Sequence, residues 1–134
     1  MIPELGQFFL ILSLLLCCYS SSLPLLASAF PRFETCLWQM RPLAIFFLCV
    51  TSLALGCLVY SLVINDFTVS YVADHSNTRL PLRYRIAACW GGHEGSLLLW
   101  LWILSVWTCA VALFSHALTQ EFRARVLSVM FGIS

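Results

Sequence analysis

Three long stretches without a charged residue predict an all-α integral membrane protein. It has three complete transmembrane helices, a truncated fourth, and an outer-face loop between the second and third. The stretches cover residues 5–31, 42–65 and 95–120. Each reaches or exceeds the roughly 20 residues that cross hydrocarbon at about 1.5 Å of rise per residue. A charge at the centre of such a helix costs about 2.5–3.5 kcal/mol, so charge-free runs of this length mark lipid. The composition agrees: 61% of the chain is hydrophobic and 10% charged, with mean hydropathy +0.93, against about 25% charged in soluble domains.

The first crossing is expected over about residues 6–30. Pro24 stands about two-thirds of the way along it and predicts a kink, with Ser20, Ser21 and Ser22 placed to satisfy the freed carbonyls. The run ends in Ala27-Ser28-Ala29, which resembles a signal-peptide cleavage site. The opening residues contain Glu4 and no basic side chain, and the apolar run is longer than an ordinary signal core, so the helix is expected to be retained. The second crossing is expected over about 42–64 and the third over about 95–116. From Arg125 the chain turns apolar again and stops at Ser134, a partial fourth crossing over about 125–134. That pattern suits the N-terminal transmembrane part of a larger polytopic protein, since an amphipathic surface segment would carry a polar face.

The chain has seven Arg, six acids and no Lys, for a net charge of +1. Such a balance gathers no nucleic acid. Arg32, Arg41, Arg123 and Arg125 flank one side of the crossings and Arg79, Arg83 and Arg85 the other. The positive-inside rule weights short loops, so the N-terminus and the long second connection are expected outside. Five of the seven cysteines, Cys17, Cys18, Cys49, Cys57 and Cys109, fall inside apolar runs, where a thiol packs as a small hydrophobe. Cys36 and Cys89 lie in different loops, and no metal or haem-attachment spacing is present.

The outer loop, about residues 65–93, has structure of its own. Phe67-Thr68-Val69-Ser70-Tyr71 alternates apolar and polar residues and predicts a short strand. Asp74-His75-Ser76-Asn77 is turn material, placing His75 at a loop tip. For Leu80 to Ile86 two readings stand: a returning strand of a hairpin, or a short interfacial helix with Thr78 as cap and Pro81 in its first turn.

The loop meets the third helix at Trp90-Gly91-Gly92-His93-Glu94-Gly95-Ser96, followed by Trp100. The structural reading is a helix entrance. Glycines turn the chain, Glu94 meets the positive end of the helix dipole, and Gly91 with Gly95 admits a neighbouring helix. Trp90, Trp100 and Trp102 anchor near the interface. The chemical reading makes His93 a base or a ligand to haem iron or a metal, because a helix N-terminus keeps imidazole neutral. The second His of a zinc-protease pattern is absent, so the residue type favours a hydrogen-bonded structural histidine. His116 is expected near the cytoplasmic end of the third helix. Trp100, Ile103, Trp107 and Phe114 share one helical stripe, usually a packing seam.

Together these words resemble the N-terminal part of the CcmF/NrfE family. The resemblance rests on Asn65-Asp66-Phe67-Thr68-Val69, Tyr71-Val72-Ala73, Ser76-Asn77-Thr78, Leu80-Pro81, Tyr84-Arg85 and residues 90–100, and continues through Ala112-Leu113-Phe114-Ser115 and Arg123-Ala124-Arg125-Val126-Leu127. It implies cytochrome c maturation in the bacterial inner membrane. The family's haem lyase joins haem, brought by a haem chaperone, to the cysteines of apocytochrome c, with other maturation subunits as partners. It also implies an N-terminus in the periplasm. The family's tryptophan-rich haem-handling segment and haem-ligating histidines have no counterpart in this chain. His93 is thus carried as a candidate cofactor residue inside a characteristic segment, and the chain is expected to act as scaffold and docking surface, inactive alone. Thioether formation itself asks for positioning of a reactive cofactor more than for a strong acid or base. Two other classes compete. A non-enzymatic assembly or haem-transport subunit would use the same helices and loop, and a thiol–quinone oxidoreductase would need paired outer thiols where Cys89 is alone.

Overall fold

The computed structural model describes residues 1–29, 39–75, 77, 79, 81–115, 117 and 119–134, without the side chains of residues 24, 25, 27, 28, 120 and 121. Six α-helices follow in order: α1 (Ile2–Ala29), α2 (Met40–Ile64), α3 (Ser70–His75), α4 (Leu82–Ala87), α5 (His93–Phe114) and α6 (Gln120–Ile133). A 3-10 turn, Ala88–Trp90, joins α4 to α5. Among the described residues three helices, α1, α2 and α5, are long and apolar enough to cross a membrane. The 22 residues of α5 rise about 33 Å, whereas the 14 residues of α6 rise only about 21 Å. This is an all-α integral membrane fold.

The long helix α2 sits between α1 and α5, and α6 closes against α1 and α5. Lipid offers apolar side chains no gain from leaving water, so contact in a membrane depends on close packing and interhelical hydrogen bonds. Both are present. Ala44, Ala54, Ala112 and Ala124 are buried, and a Cβ on Gly6 would stand 3.3 Å from Cys57 Cβ, so α1 and α2 nearly touch there. Phe47 and Phe131 meet edge to face at 5.3 Å between ring centres. In mid-bundle, Thr51 Oγ1 and Ser105 Oγ share a 2.9 Å hydrogen bond between α2 and α5, a contact worth about 0.6 kcal/mol on average in membranes. Trp102 donates its indole N–H to Ser52 at 2.9 Å.

Several expectations change. Among the described residues no strand forms, and the predicted strand at Phe67–Tyr71 is a turn leading into α3. The cause is local: Asp66 Oδ1 accepts both the Thr68 N–H at 3.2 Å and the Thr68 hydroxyl at 2.6 Å. A carboxylate that captures the backbone two residues on competes with an extended ladder. Of the two readings for Leu80–Ile86, the helix forms, as α4, with Pro81 itself at the N-cap; Thr78 lies outside the described residues. The helix that carries residues 125–133, α6, starts at Gln120. Ser22 does donate to a carbonyl near Pro24, that of Tyr19 at 2.8 Å, but the buried Ser20 hydroxyl has no partner among the described residues. The stripe of Trp100, Ile103, Trp107 and Phe114 faces away from the core of this chain, with Trp100 66% exposed, so it is no seam between these helices. Arg32, Cys36 and His116 lie outside the described residues.

Candidate functional site

The N-terminus of α5 is built into a compact junction by a residue from the loop before it. α2 ends at Asn65, whose φ of 54° is left-handed; Asn tolerates this conformation because its side chain bonds locally. The Asp66–Thr68 turn then aims α3 back across the mouth of the bundle, burying Val72 against Leu62 and Cys89. On the same face of α3, one turn apart, stand Tyr71 and His75. Their rings stack at 4.4 Å with 22° between planes, and His75 Nδ1 lies 3.1 Å from the Tyr71 carbonyl.

The Tyr71 hydroxyl is the hub. It donates towards the Ala88 and Cys89 carbonyls, each at 3.0 Å, and accepts the Gly92 N–H at 3.1 Å. One phenol thus satisfies backbone groups on both sides of the turn into α5, where the first N–H groups of a helix have no internal partner. Burial pushes the Tyr71 phenol above its ordinary range, and the Gly92 N–H partly offsets this. Burial also pushes the Cys89 thiol up. Both groups are therefore neutral near pH 7. Outside the hub, Ser96 donates its hydroxyl to the carbonyls of Gly92 at 2.8 Å and Trp90 at 3.0 Å, tying the first turn of α5 down.

Two glycines make room for this. A Cβ on Gly95 would collide with the Cys89 carbonyl and the Tyr71 hydroxyl, and one on Gly92 would fall 2.6 Å from His75 Nε2 and 2.7 Å from Tyr71 Cε2. Gly91 differs: its nearest obstacle is the Ala88 carbonyl at 3.5 Å, so a side chain fits. The spacing of Gly91 and Gly95 therefore does not admit another long helix here; Gly95 admits α3 and the turn.

The remaining residues of the segment are not gathered into one centre. His93, the first residue of α5, is exposed and makes no hydrogen bond among the described residues. Glu94 is exposed in the first turn of α5, Trp90 is half exposed on the loop side, and Trp100 points outward two turns below. Among the described residues no three His, Cys, Asp or Glu side chains converge as a metal site. Among the described residues no histidine lines the two cavities that Glu94 and Leu98 share, so the site shows no built pair of haem ligands. The residues that hold the segment, Tyr71 and His75, escape a sequence reading that treats them as strand and turn. Their signal was spacing, since residues four apart share a helix face.

At the opposite end the C-terminus of α5 is held by arginines. Arg41 donates to the Ala112 carbonyl through Nε at 3.0 Å and to the Leu113 carbonyl through Nη2 at 3.2 Å. Arg123 Nη1 donates to the Ser115 carbonyl at 3.2 Å. Cations at the negative end of a helix dipole are stabilising.

The chain is 47% identical over all 134 residues to the cytochrome c-type biogenesis protein CcmF of Pseudomonas aeruginosa, and 44% identical over the same length to CcmF of Haemophilus influenzae. It is 41% identical over 130 residues to the cytochrome c-type biogenesis protein NrfE of Haemophilus influenzae. A solved structure, cytochrome c heme lyase CcmF, matches 99% of the chain with a TM-score of 0.87 at 29% identity. The chain belongs to the CcmF/NrfE family. It spans about a fifth of the length of these relatives, 20% of each of the three and 22% of the solved chain. No family model matches. The CcmF and NrfE alignments cover 97–100% of the chain, so they run through the α3 junction as well as the long helices.

Proposed function

We propose that this chain works in cytochrome c maturation as a membrane scaffold of a haem lyase, presenting the α3–α5 junction on the periplasmic side of the bacterial inner membrane. The observation that carries this reading is the match to CcmF along the whole chain, in sequence and in fold. The junction supplies the physical role. The hydroxyl of Tyr71, the Tyr71–His75 stack and the two crowded glycines fix the direction in which α5 leaves the outer loop. A frame of this kind positions whatever packs on it, and positioning is the main demand of joining a large cofactor to a protein thiol. Haem, when bound to the complete machine, brings the reactive vinyl groups; the residues of this chain contribute a rigid platform for it, its chaperone or the apocytochrome.

The arginines support this orientation. Arg41 and Arg123 cap α5 at the end opposite the junction, and cytoplasmic loops carry the excess of Arg in short connections.

The test is split complementation. In a bacterium whose CcmF lacks the matching N-terminal fifth, this chain is supplied as a separate polypeptide, and covalently bound haem is read on denaturing gels. Maturation should return with both pieces and be absent with this chain alone. No recovery when both pieces reach the membrane overturns the scaffold reading; holocytochrome from this chain alone overturns its passivity.

A further inference from the structure

A cavity of about 420 Å³ opens beside the junction, between α1, α2, α3 and the first turns of α5. Its floor is apolar, with Leu10, Ala54, Leu58 and Leu98, and its rim is polar. Ser61 lies on its wall. Only 2% of this residue is exposed, yet its hydroxyl makes no hydrogen bond among the described residues. Other buried hydroxyls of the long helices return to a carbonyl one turn back, as Thr51 does to Phe47 at 3.0 Å and Thr108 to Leu104 at 2.7 Å. A buried hydroxyl left open to a cavity is a polar group waiting for a partner, since burial without one is costly.

The charge at the site is one-sided. Among the described residues Glu94 is the one charged side chain on the wall. The nearby cations are engaged elsewhere: the N-terminal ammonium pairs with Glu4 at 3.4 Å, and Arg85 donates to the Val63 carbonyl at 3.3 Å. An anionic head is disfavoured here and an ammonium favoured. A second cavity of about 410 Å³ adjoins it, sharing Leu10, Glu94 and Leu98, and is lined further by Leu97, Leu101 and Leu104 of α5. A chamber with a polar rim thus adjoins a mostly apolar slot, lined also by Ser134, that follows α5 towards mid-membrane.

We infer that this slot binds a bilayer lipid whose head group carries a primary ammonium, with the ammonium at Glu94, a polar oxygen of the head or ester region at the Ser61 hydroxyl, and one acyl chain between α1 and α5. The occupant comes from the membrane because the slot is lined by α1 and α5, two helices long and apolar enough to cross it. Glu94 selects the ammonium of that head.

The test uses the 134-residue chain purified in lipid-free detergent micelles and titrated, under native mass spectrometry, with phosphatidylethanolamine and with phosphatidylglycerol of the same acyl chains. Phosphatidylethanolamine should bind about threefold more tightly, the scale of one exposed charge pair. Glu94→Gln should erase that preference while binding persists. Ser61→Leu, which fills the chamber, should weaken both lipids by roughly tenfold, with helicity checked by circular dichroism. Equal binding of the two lipids, or a preference that survives Glu94→Gln, overturns the inference. Dimers that persist in lipid-free micelles and take up no lipid assign the slot to a second copy and overturn it too.

Discussion

The two ends of α5 meet the same requirement by different means. At its C-terminus the free carbonyls are met by guanidinium groups on long, adaptable stems, Arg41 from α2 and Arg123 from α6. At its N-terminus a free N–H is met by the hydroxyl of Tyr71, a short and rigid side chain that reaches its target only if backbone lies against backbone. The arginine end therefore leaves the neighbouring side chains free to vary. The tyrosine end imposes glycine at two positions, because a Cβ at Gly92 or Gly95 occupies the space of the ring or of the Cys89 carbonyl. Helix polarity decides what kind of group caps each end; the length of the capping side chain decides how tightly the surroundings are constrained.

Substitutions can break or sharpen this contrast. Gly95→Ala should be the most damaging, since the colliding atoms include a backbone carbonyl that cannot turn aside. A loss of about 3 kcal/mol is expected, read as a lowered unfolding midpoint in detergent. Tyr71→Phe keeps the ring stack and removes the hub, leaving the Gly92 N–H without its acceptor, and should cost about 1–2 kcal/mol in the same assay. The hydroxyl also sets an alkaline limit. Its folded value is raised above the ordinary 10.0, so its contribution is complete below about pH 10 and is lost as pH rises through the folded value. That loss should follow tyrosinate absorbance and vanish in Tyr71→Phe. At the other end, Arg41→Lys keeps the charge but not the two-pronged donation, and should cost about 0.5–1 kcal/mol. Gly91→Ala should lie within about 0.5 kcal/mol of the parent, because the Cβ makes only ordinary contact with Ala88, 3.5 Å from its carbonyl oxygen; a large loss there would mean that the segment needs three glycines rather than two.

The long crossings were legible from composition because hydrocarbon rejects charge over a known thickness, and α1, α2 and α5 occupy the runs that carry none. The loop was less legible. Alternation at Phe67–Tyr71 imitates a strand, but a strand needs a partner, and Asp66 instead captures Thr68 and starts a turn. A histidine at a helix start, such as His93, has the residue type of a ligand, while His75, four residues after Tyr71, is the imidazole packed against the segment. The aromatic stripe of Trp100 and Trp107 was correctly placed on one face of α5. Its outward direction depends on where α2 and α6 lie, which periodicity does not encode.

By itself, the amino-acid order determined that this chain lives in a bilayer, which of its stretches are long and apolar enough to cross it, and which family words it carries, because these depend on transfer energies and on residues read one after another. Only the tertiary structure decided which glycines are indispensable, which tyrosine holds the entrance to α5 and which serine opens into a cavity. Those properties are distances between segments far apart in the chain, and a close approach exists only once the helices have packed.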